Sequence, residues 1–264
     1  MIRHMRCQAI EQGNQVEFFN QYDQFYATSL TSPFPHRLNG RHEAIIARNA
    51  AFLAGKRVLD IASHDGRWTF AALKAGAAYV KGIEPRQELI ANAVATFDRY
   101  GIDRSRYDFA CGDVFELLRS ETFDVVFCLG FYYHTIRHAE LLDRIERTGA
   151  QLVIIDTEVT PAEDEVPLLE PQDARLIFKN PYGIQLLREP IDDQQMACDD
   201  ALTRNGHTLV GRPSRAAIRF LAEHFGYATS QYDWPKHFVA KPEHGDAMHD
   251  YHKGWRETFY LRKS

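Results

Sequence analysis

The sequence predicts a doubly wound α/β fold with a parallel sheet, and three observations favour it. A short apolar run, Val58–Ile61, ends in a turn that opens a helix. A second apolar run ends in Glu84, eighteen residues after Gly66. Further along, short apolar runs alternate with segments of helical periodicity, as in strands joined by crossover helices. The two matched runs indicate a nucleotide-binding half-sheet, because backbone can approach a ligand at the first turn and the acid can accept both ribose hydroxyls.

The N-terminal segment is expected to be helical. Residues 12–29 carry aromatic side chains at near-helical spacing, which predicts one amphipathic helix. Its aromatic face either packs on the core or closes over the site as a lid. Pro33 and Pro35 are expected to break the chain before a second helix over 41–53.

The middle of the chain supplies the strands and helices of the sheet. A continuous apolar run from Phe123 to Gly130 is typical of a central parallel strand that is buried on both faces. The predicted helices span 68–75, 87–100, 114–119 and 138–148, and the other predicted strands span 79–83, 107–110 and 152–156.

The last hundred residues divide into a loose segment and a regular one. Between residues 160 and 213, prolines interrupt short apolar pieces, which predicts a substrate cap over the carboxyl edge of the sheet. A helix is expected over 214–225, capped by Ser214 and ended by Gly226. Strands near 229–234 and 258–262 follow. The expected division is 1–54 helical lid or extension, 55–159 cofactor-binding core, 160–213 cap and 214–264 completion of the core.

The turn after the first strand does not fit a dinucleotide. A pyrophosphate site needs Gly-x-Gly-x-x-Gly, whereas Ala62, His64 and Gly66 follow Asp60 at tighter spacing. This pattern resembles motif I of class I S-adenosylmethionine-dependent methyltransferases, with Asp60 as the acid and Gly66 as the last glycine. Ala62 and His64 replace the first two glycines. We expect His64 either to hold a negative φ or to be a tolerated exception.

Two further segments extend this resemblance. Phe109–Phe115 is similar to the family segment whose acid binds the adenine amino group, which would be Asp113, and whose next backbone N–H, on Val114, reaches a ring nitrogen. Asp113 could equally be the N-cap of the following helix. The stretch Cys128–His134 is similar to a strand ending in the tRNA wobble-uridine carboxymethyltransferase group and its relatives.

The resemblance implies a seven-stranded Rossmann-like methyltransferase sheet whose last two strands form an antiparallel edge. It also implies a methyltransferase (EC 2.1.1) that takes S-adenosylmethionine and releases S-adenosylhomocysteine (SAH). His64 and Trp68 could pack on the cofactor or serve only as a turn and a core residue. The expected cofactor-binding residues are Asp60, Ala62, His64, Gly66, Trp68, Glu84, Pro85, Asp113, Val114, Leu129 and Gly130.

His134 is the predicted catalytic residue, because an imidazole can take a proton from a hydroxyl or amine as the methyl group moves. Tyr132 and Tyr133 would position the acceptor. His134 could instead cap the next helix or bind a backbone carbonyl. No metal is expected, although Asp156 and Glu158 end the fifth strand on the same side and could hold a divalent cation together with His134.

Composition and charge restrict the partners. At 264 residues with 45% hydrophobic residues, the chain can bury a large core. A net charge of −5 and the lack of a basic run argue against nucleic acid. No apolar run is long enough to span a bilayer and no signal peptide is evident, so a cytoplasmic location is expected. The four scattered cysteines suggest neither disulfides nor zinc.

Three functional hypotheses follow. The first is methyl transfer to oxygen or nitrogen of a small metabolite or glycan-like acceptor. The second is an RNA-modifying transferase of the wobble-uridine type, which would need an additional cation in the pocket if its cofactor carried a carboxylate. The third is a non-catalytic protein that binds an adenosyl ligand, which the missing motif I glycines suggest.

Overall fold

The computed structural model describes residues 16–28, 34–160, 183–191 and 199–264. Nine strands lie within these ranges, and seven of them form one sheet in the order β3-β2-β1-β4-β5-β9-β8. The first five strands are parallel, and β9 runs antiparallel to both β5 and β8. The sheet strands are β1 Arg57–Ile61, β2 Tyr79–Glu84, β3 Tyr107–Cys111, β4 Val125–Leu129, β5 Leu152–Glu158, β8 Tyr227–Gln231 and β9 Arg256–Lys263. The predicted doubly wound, seven-stranded fold with an antiparallel edge is therefore confirmed.

Helices cover both faces of this sheet because alternate strand residues point to opposite sides. On one face Val58 and Phe127 pack with side chains from α1–α3, α5 and α6. On the other face Leu59 and Val126 pack with side chains from α7, α8 and α9. The helices are α1 Phe18–Gln21, α2 Gln24–Thr28, α3 Pro35–Ile45, α4 Ala50–Leu53, α5 Arg67–Lys74, α6 Gln87–Arg99, α7 Val114–Leu117, α8 His138–Arg147, α9 Arg215–His224, α10 Trp234–Ala240 and α11 His249–His252.

The N-terminal helices differ from the expectation. The described part of the predicted helix over 12–29 is two short helices, α1 and α2, separated at Tyr22 and Asp23. The predicted second helix begins earlier, because Pro35 occupies the first position of α3 instead of breaking the chain. Proline suits that position, where its fixed φ is helical and its missing N–H has no partner to lose.

The segment predicted to be a cap contains a hairpin that the sequence pattern did not predict. Strands β6 Ile184–Pro190 and β7 His207–Pro213 pair antiparallel as a separate two-stranded sheet. The remainder of that segment, 161–182 and 192–198, lies outside the described residues, as do Cys7 and Cys198. Near the C-terminus the strand expected over 229–234 ends at Gln231, and Trp234 begins α10 instead.

Within the described ranges, no helix is both long and apolar enough to cross a membrane. The two cysteines in these ranges, Cys111 and Cys128, lie on β3 and β4 and are both free.

Candidate active site

A cavity of about 310 Å³ opens at the carboxyl ends of the parallel strands. Four strand ends reach it, through Ile61, Glu84, Leu129 and Glu158, and the turn after β3 adds Gly112 and Asp113. Ligands bind at this edge in doubly wound folds, where the strand order reverses between β1 and β4. The cavity therefore lies where the sequence places the cofactor.

The turn after β1 keeps the backbone shape of a glycine loop without the glycines. Ala62 and His64 both have φ of 54°, and Gly66 has φ of 72°. His64 is thus the exception that the sequence allowed, and it does not hold a negative φ. Two backbone bonds fix the loop to β2: Ser63 N–H donates to Ile83 O (3.0 Å), and His64 N–H donates to Glu84 Oε2 (2.9 Å).

Glu84 ends β2 at the rim of the cavity with its side chain buried. Its Oε1 accepts from Arg86 Nε at 2.6 Å and from the Arg86 N–H at 3.2 Å. Pro85 follows it in the cavity wall. A carboxylate has about four acceptor positions, and the two bonds from Arg86 and the one from the His64 N–H leave about one of them, on Oε2, for a further donor.

Asp113 and Val114 border the cavity after β3. Asp113 caps α7, because its Oδ1 accepts from the Phe115 N–H at 2.9 Å. The capping role and a ligand contact are compatible, since the same carboxylate faces the cavity. Opposite, at the end of β4, Leu129 and Gly130 form the wall, and a Cβ built on Gly130 would meet no atom within 4 Å. The bare backbone of Gly130 therefore leaves room for a ligand.

Two expected cofactor residues lie behind the cavity wall. Asp60 is only 1% exposed, and its Oδ2 accepts from the Thr69 hydroxyl of α5 at 2.7 Å. Burial raises the pKa of Asp60 to about 7. Gly66 is the N-cap residue of α5, and a Cβ built on it would lie 2.9 Å from the ring of Phe109. Both residues shape the loop and the start of α5.

Trp68 lines the cavity together with cationic side chains of α3 that the sequence analysis did not identify. The guanidinium of Arg41 lies 5.0 Å from the centre of the Trp68 ring. Arg41 also pairs with Asp156 at 3.0 Å, yet its Nε has no hydrogen-bond partner. Arg37, one turn earlier, also borders the cavity and pairs with Asp250. Their spacing of four residues on one helix is the signal that could have indicated a cationic face.

His134 lies in a short 3₁₀ turn after β4, at the cavity wall. Its Nδ1 is 2.6 Å from Oε2 of Glu189 on β6, and its Nε2 is buried with no hydrogen-bond partner. A carboxylate can only accept, so Nδ1 carries the hydrogen and Nε2 of the neutral ring presents a lone pair. Glu189 is 55 residues away in the sequence, and nothing in the local pattern identified it.

The two neighbouring tyrosines have different environments. Tyr133 borders the cavity, and its hydroxyl accepts from Arg256 Nη2 at 3.0 Å. Tyr132 is fully buried in the core on the other side of the turn, and its carbonyl contacts His138 Nε2 at 2.9 Å. Tyr132 is therefore not among the residues that border the cavity.

The structure contradicts a metal site built from His134, Asp156 and Glu158. Asp156 is fully buried and contacts Arg41 and Arg256 at 3.0 and 3.1 Å. Burial alone would raise the pKa of Asp156, but these two guanidinium groups hold it below its ordinary value. Its oxygens also accept from Tyr251 and Thr258. With its oxygens engaged by two cations and two hydroxyls, Asp156 cannot act as a metal ligand.

Comparisons with known proteins identify the class. Residues 58–150 match a family described as a methyltransferase domain. Ribosomal RNA large subunit methyltransferase I of Klebsiella pneumoniae (strain 342) is 35% identical over 80 residues, which cover 28% of this chain and 20% of the relative. The chain therefore matches about a fifth of the length of its curated relatives.

Solved structures share the fold. The N-terminal domain of EvdMO1 with SAH bound superposes with a TM-score of 0.59 at 18% identity, over 92% of this chain and 85% of that chain. The DhpI–SAH complex gives a TM-score of 0.54 at 16% identity, over 93% and 92%.

The chain thus contains a methyltransferase domain built on the class I fold. The prediction of a class I S-adenosylmethionine-dependent methyltransferase is confirmed at the level of the class, whose cofactor is S-adenosylmethionine and whose product is SAH. The comparisons do not single out the wobble-uridine group.

Proposed function

We propose that this protein transfers a methyl group from S-adenosylmethionine to an oxygen or nitrogen of a small metabolite or glycan-like acceptor. The observation that carries the proposal is His134 at the cavity wall, whose Nδ1 is held by Glu189 and whose buried Nε2 has no hydrogen-bond partner. A base in that position suits an acceptor whose proton must leave during transfer.

The cavity residues fit the cofactor. Glu84 is proposed to accept the ribose hydroxyls, Asp113 the adenine amino group, and the Val114 N–H to donate to the ring. Two buried donors without partners border the same cavity, Arg41 Nε and His64 Nε2, and they suit the polar end of the amino acid moiety. Ala62, Pro85, Trp68, Leu129 and Gly130 would supply apolar or backbone contacts.

When bound, S-adenosylmethionine supplies an electrophilic methyl group on a sulfonium. His134 would hold the acceptor by a hydrogen bond to Nε2 and take its proton, while Glu189 keeps the ring oriented and stabilises the imidazolium that forms. Tyr133, fixed by Arg256, would position the acceptor. Since in-line transfer depends on alignment, these positioning contacts count as much as the base does.

A small acceptor is favoured by the chemistry of the cap. We assign this role to the segment 160–213, whose described part supplies Glu189 and whose Asp199 and Asp200 border the cavity. Carboxylates that border the cavity disfavour the approach of a phosphate backbone. Among solved structures of the same fold, the N-terminal domain of EvdMO1 was crystallised in the presence of SAH and D-fucose, and DhpI was solved as a SAM–HEP complex.

An RNA acceptor is the second candidate, and the ribosomal RNA methyltransferase relative favours it. Arg256 would be the additional cation that a carboxylated cofactor needs, since it borders the cavity beside Tyr133, although it already pairs with Asp156 and Asp250. The third hypothesis, a non-catalytic adenosyl-binding protein, loses support because the turn keeps its left-handed shape without glycines.

The proposal is tested first by calorimetric titration of the protein with S-adenosylmethionine, SAH and NAD in parallel. The protein is expected to bind S-adenosylmethionine and SAH and not to bind NAD; the absence of binding to the first two would refute the proposal. Methyl transfer to panels of hydroxyl and amine acceptors is then followed by mass spectrometry. Salt-dependent RNA binding with transfer to RNA alone would favour the second candidate.

The role of His134 has its own test. For an acceptor found in that screen, His134→Ala is expected to lower kcat by about 10²–10⁴-fold with unchanged cofactor affinity. Glu189→Gln should lower kcat less and shift the pH profile, because it removes the charge that stabilises the imidazolium. The control is His224→Ala, which removes an exposed histidine at the end of α9. An unchanged kcat in His134→Ala would show that His134 is not the general base, and it would leave the methyltransferase assignment intact.

A further inference from the structure

A second cluster of potential ligands lies outside the cavity wall. Glu17, His36 and His244 each place one ligand atom within 4.8 Å of the others. In the part of the chain that the structure describes, no other three His, Cys, Asp or Glu side chains converge in this way. Glu17 precedes α1, His36 lies in the first turn of α3, and His244 ends the 3₁₀ turn after α10. Three separate parts of the chain therefore meet at this point.

His244 carries the strongest indication of a ligand. Its side chain is fully buried, and its Nε2 has no hydrogen-bond partner, although Glu17 Oε1 lies 3.4 Å away. A buried imidazole nitrogen without a partner is unfavourable unless something compensates it. The nitrogen faces a carboxylate, and the ring centre of exposed His36 lies 5.1 Å from its own.

A chain of polar contacts holds the ring of His244. The Tyr232 hydroxyl donates to Glu43 Oε1 (3.4 Å) and lies 3.0 Å from His237 Nδ1. His237 Nε2 in turn lies 3.0 Å from His244 Nδ1. Nδ1 of His244 is therefore engaged, and Nε2 is the nitrogen that remains for a metal ion. Metal-bound histidines have this arrangement, with the second nitrogen held by an outer partner.

The charge next to the cluster has to be considered. Lys241 Nζ lies 3.7 Å from Glu17 Oε1 and would repel a cation. Its shorter contact is to Glu43 Oε2, at 2.9 Å, so Glu17 is its weaker partner. Ligand distances of about 2.0–2.2 Å require the three atoms to close by roughly 1.5 Å, which exposed His36 can do by rotating.

We propose that Glu17, His36 and His244 form a divalent transition-metal site with Zn²⁺ as the preferred ion. Two imidazoles and one carboxylate suit zinc and leave a fourth position for water. The ion would join the segment before α1 and the turn after α10 to the start of α3. Because α3 also carries Arg37 and Arg41 to the cavity, the metal would brace one wall of the active site without taking part in methyl transfer.

The test uses the full chain, stripped of metal with a chelator and dialysed against Zn²⁺, Mg²⁺ or Ca²⁺. We expect one zinc ion per chain by elemental analysis and a rise in Tm with Zn²⁺ alone. A chain that binds no zinc, or that responds equally to Mg²⁺ or Ca²⁺, would overturn the proposal.

Variants separate this site from adventitious histidine binding. His36→Ala changes an exposed side chain, and Glu17→Gln keeps the shape of the side chain, so both should fold. Each is expected to weaken zinc binding by at least about tenfold, as the loss of a partner at a metal site does, and to abolish the rise in Tm. His224→Ala should bind zinc like the parent chain. Equal zinc affinity in all three variants would show that the cluster is not the site.

Discussion

At the scale of single residues, the loop after β1 stores conformational strain. Ala62 and His64 hold φ of 54°, a conformation that costs a residue with a side chain about 1–2 kcal/mol. The His64 N–H bond to Glu84 and the Ser63 N–H bond to Ile83 hold the loop in this shape. These two hydrogen bonds therefore maintain a strained loop that borders the cavity. They explain how the motif keeps its shape with Ala62 and His64 in place of two glycines.

Substitution of His64 measures this strain. His64→Gly and His64→Ala both remove the imidazole, but only glycine relaxes φ, so the glycine variant should be more stable by about 1 kcal/mol. At exposed Ala95 on α6 the order reverses, and Ala95→Gly should destabilise the fold by about 0.5–1 kcal/mol. Urea unfolding measures both differences. If the alanine variant at position 64 were the more stable, the loop would not be strained there.

Glu84 should control cofactor affinity. Glu84→Ala is expected to weaken S-adenosylmethionine binding by a few kcal/mol, because a buried carboxylate that accepts charge-assisted hydrogen bonds is lost. Glu84→Gln retains the shape of the side chain and removes only its charge, so it separates the contribution of the charge to cofactor affinity from that of packing. The control is Glu88→Ala, which removes an exposed acid in the first turn of α6. Calorimetry provides the affinity, and an unchanged value in Glu84→Ala would place the ribose elsewhere.

At the scale of elements, the β6–β7 hairpin completes the candidate site. It brings Glu189 to His134 and rests on the 3₁₀ turn at Tyr132–His134. Gly211 of β7 makes this close approach possible, since a Cβ there would meet the His138 ring and Ile184, each at 3.0 Å. The hairpin position is thus tied to the orientation of the proposed base.

A larger residue at Gly211 should displace the hairpin. Gly211→Val suits a strand by propensity but collides with His138, so we expect kcat to fall by about tenfold or more as Glu189 moves away from His134. Leu209→Thr, at an exposed position on the same strand, should leave kcat unchanged. Steady-state kinetics with an identified acceptor makes the comparison. Wild-type kcat in Gly211→Val would show that the docking of the hairpin does not govern catalysis.

Some elements could be predicted from the sequence and others could not, for physical reasons. The strand β4 could be predicted because all five of its residues are apolar, and the structure buries all five. Helices of four or five residues, such as α1 and α11, are shorter than the window in which periodicity can be recognised. Pro35 was interpreted as a break because a proline that begins a helix and one that ends a segment look alike in sequence.

At the scale of the whole molecule, a buried ionic network joins the N-terminal helices, the sheet and the C-terminal segment. Asp156 of β5 contacts Arg41 of α3 and Arg256 of β9, and Tyr251 of α11 donates to it. The sequence alone makes Asp156 look like a possible metal ligand, because its true partners lie about a hundred residues away on either side and no local pattern connects them. Residues at consecutive strand ends, which border the cavity, could be placed there from the sequence, whereas pairings across the fold, such as Glu189 with His134, could not.

The acid stability of the whole fold depends on two buried histidines. Burial lowers the pKa of His42 and of His138 to about 4, below the ordinary value of 6.5. Between pH 6.5 and 4 the unfolded chain therefore binds more protons, and the free energy of unfolding falls as the pH is lowered. Asp60 acts in the opposite direction. Its pKa of about 7 in the folded protein lies above the ordinary value of 3.8, so its contribution to the free energy of unfolding increases as the pH is lowered through this range.

Two histidines outweigh one aspartate, so a net loss of stability by up to a few kcal/mol is expected from pH 6.5 to pH 4. His138→Gln should flatten this dependence, because a neutral amide replaces the titrating ring. Asp60→Asn should steepen it, because the opposing group is removed while the acceptor for the Thr69 hydroxyl is retained. Urea unfolding across this pH range measures all three slopes. Equal slopes would mean that these groups titrate alike in the folded and unfolded chain, and the acid sensitivity would then arise from other titratable groups.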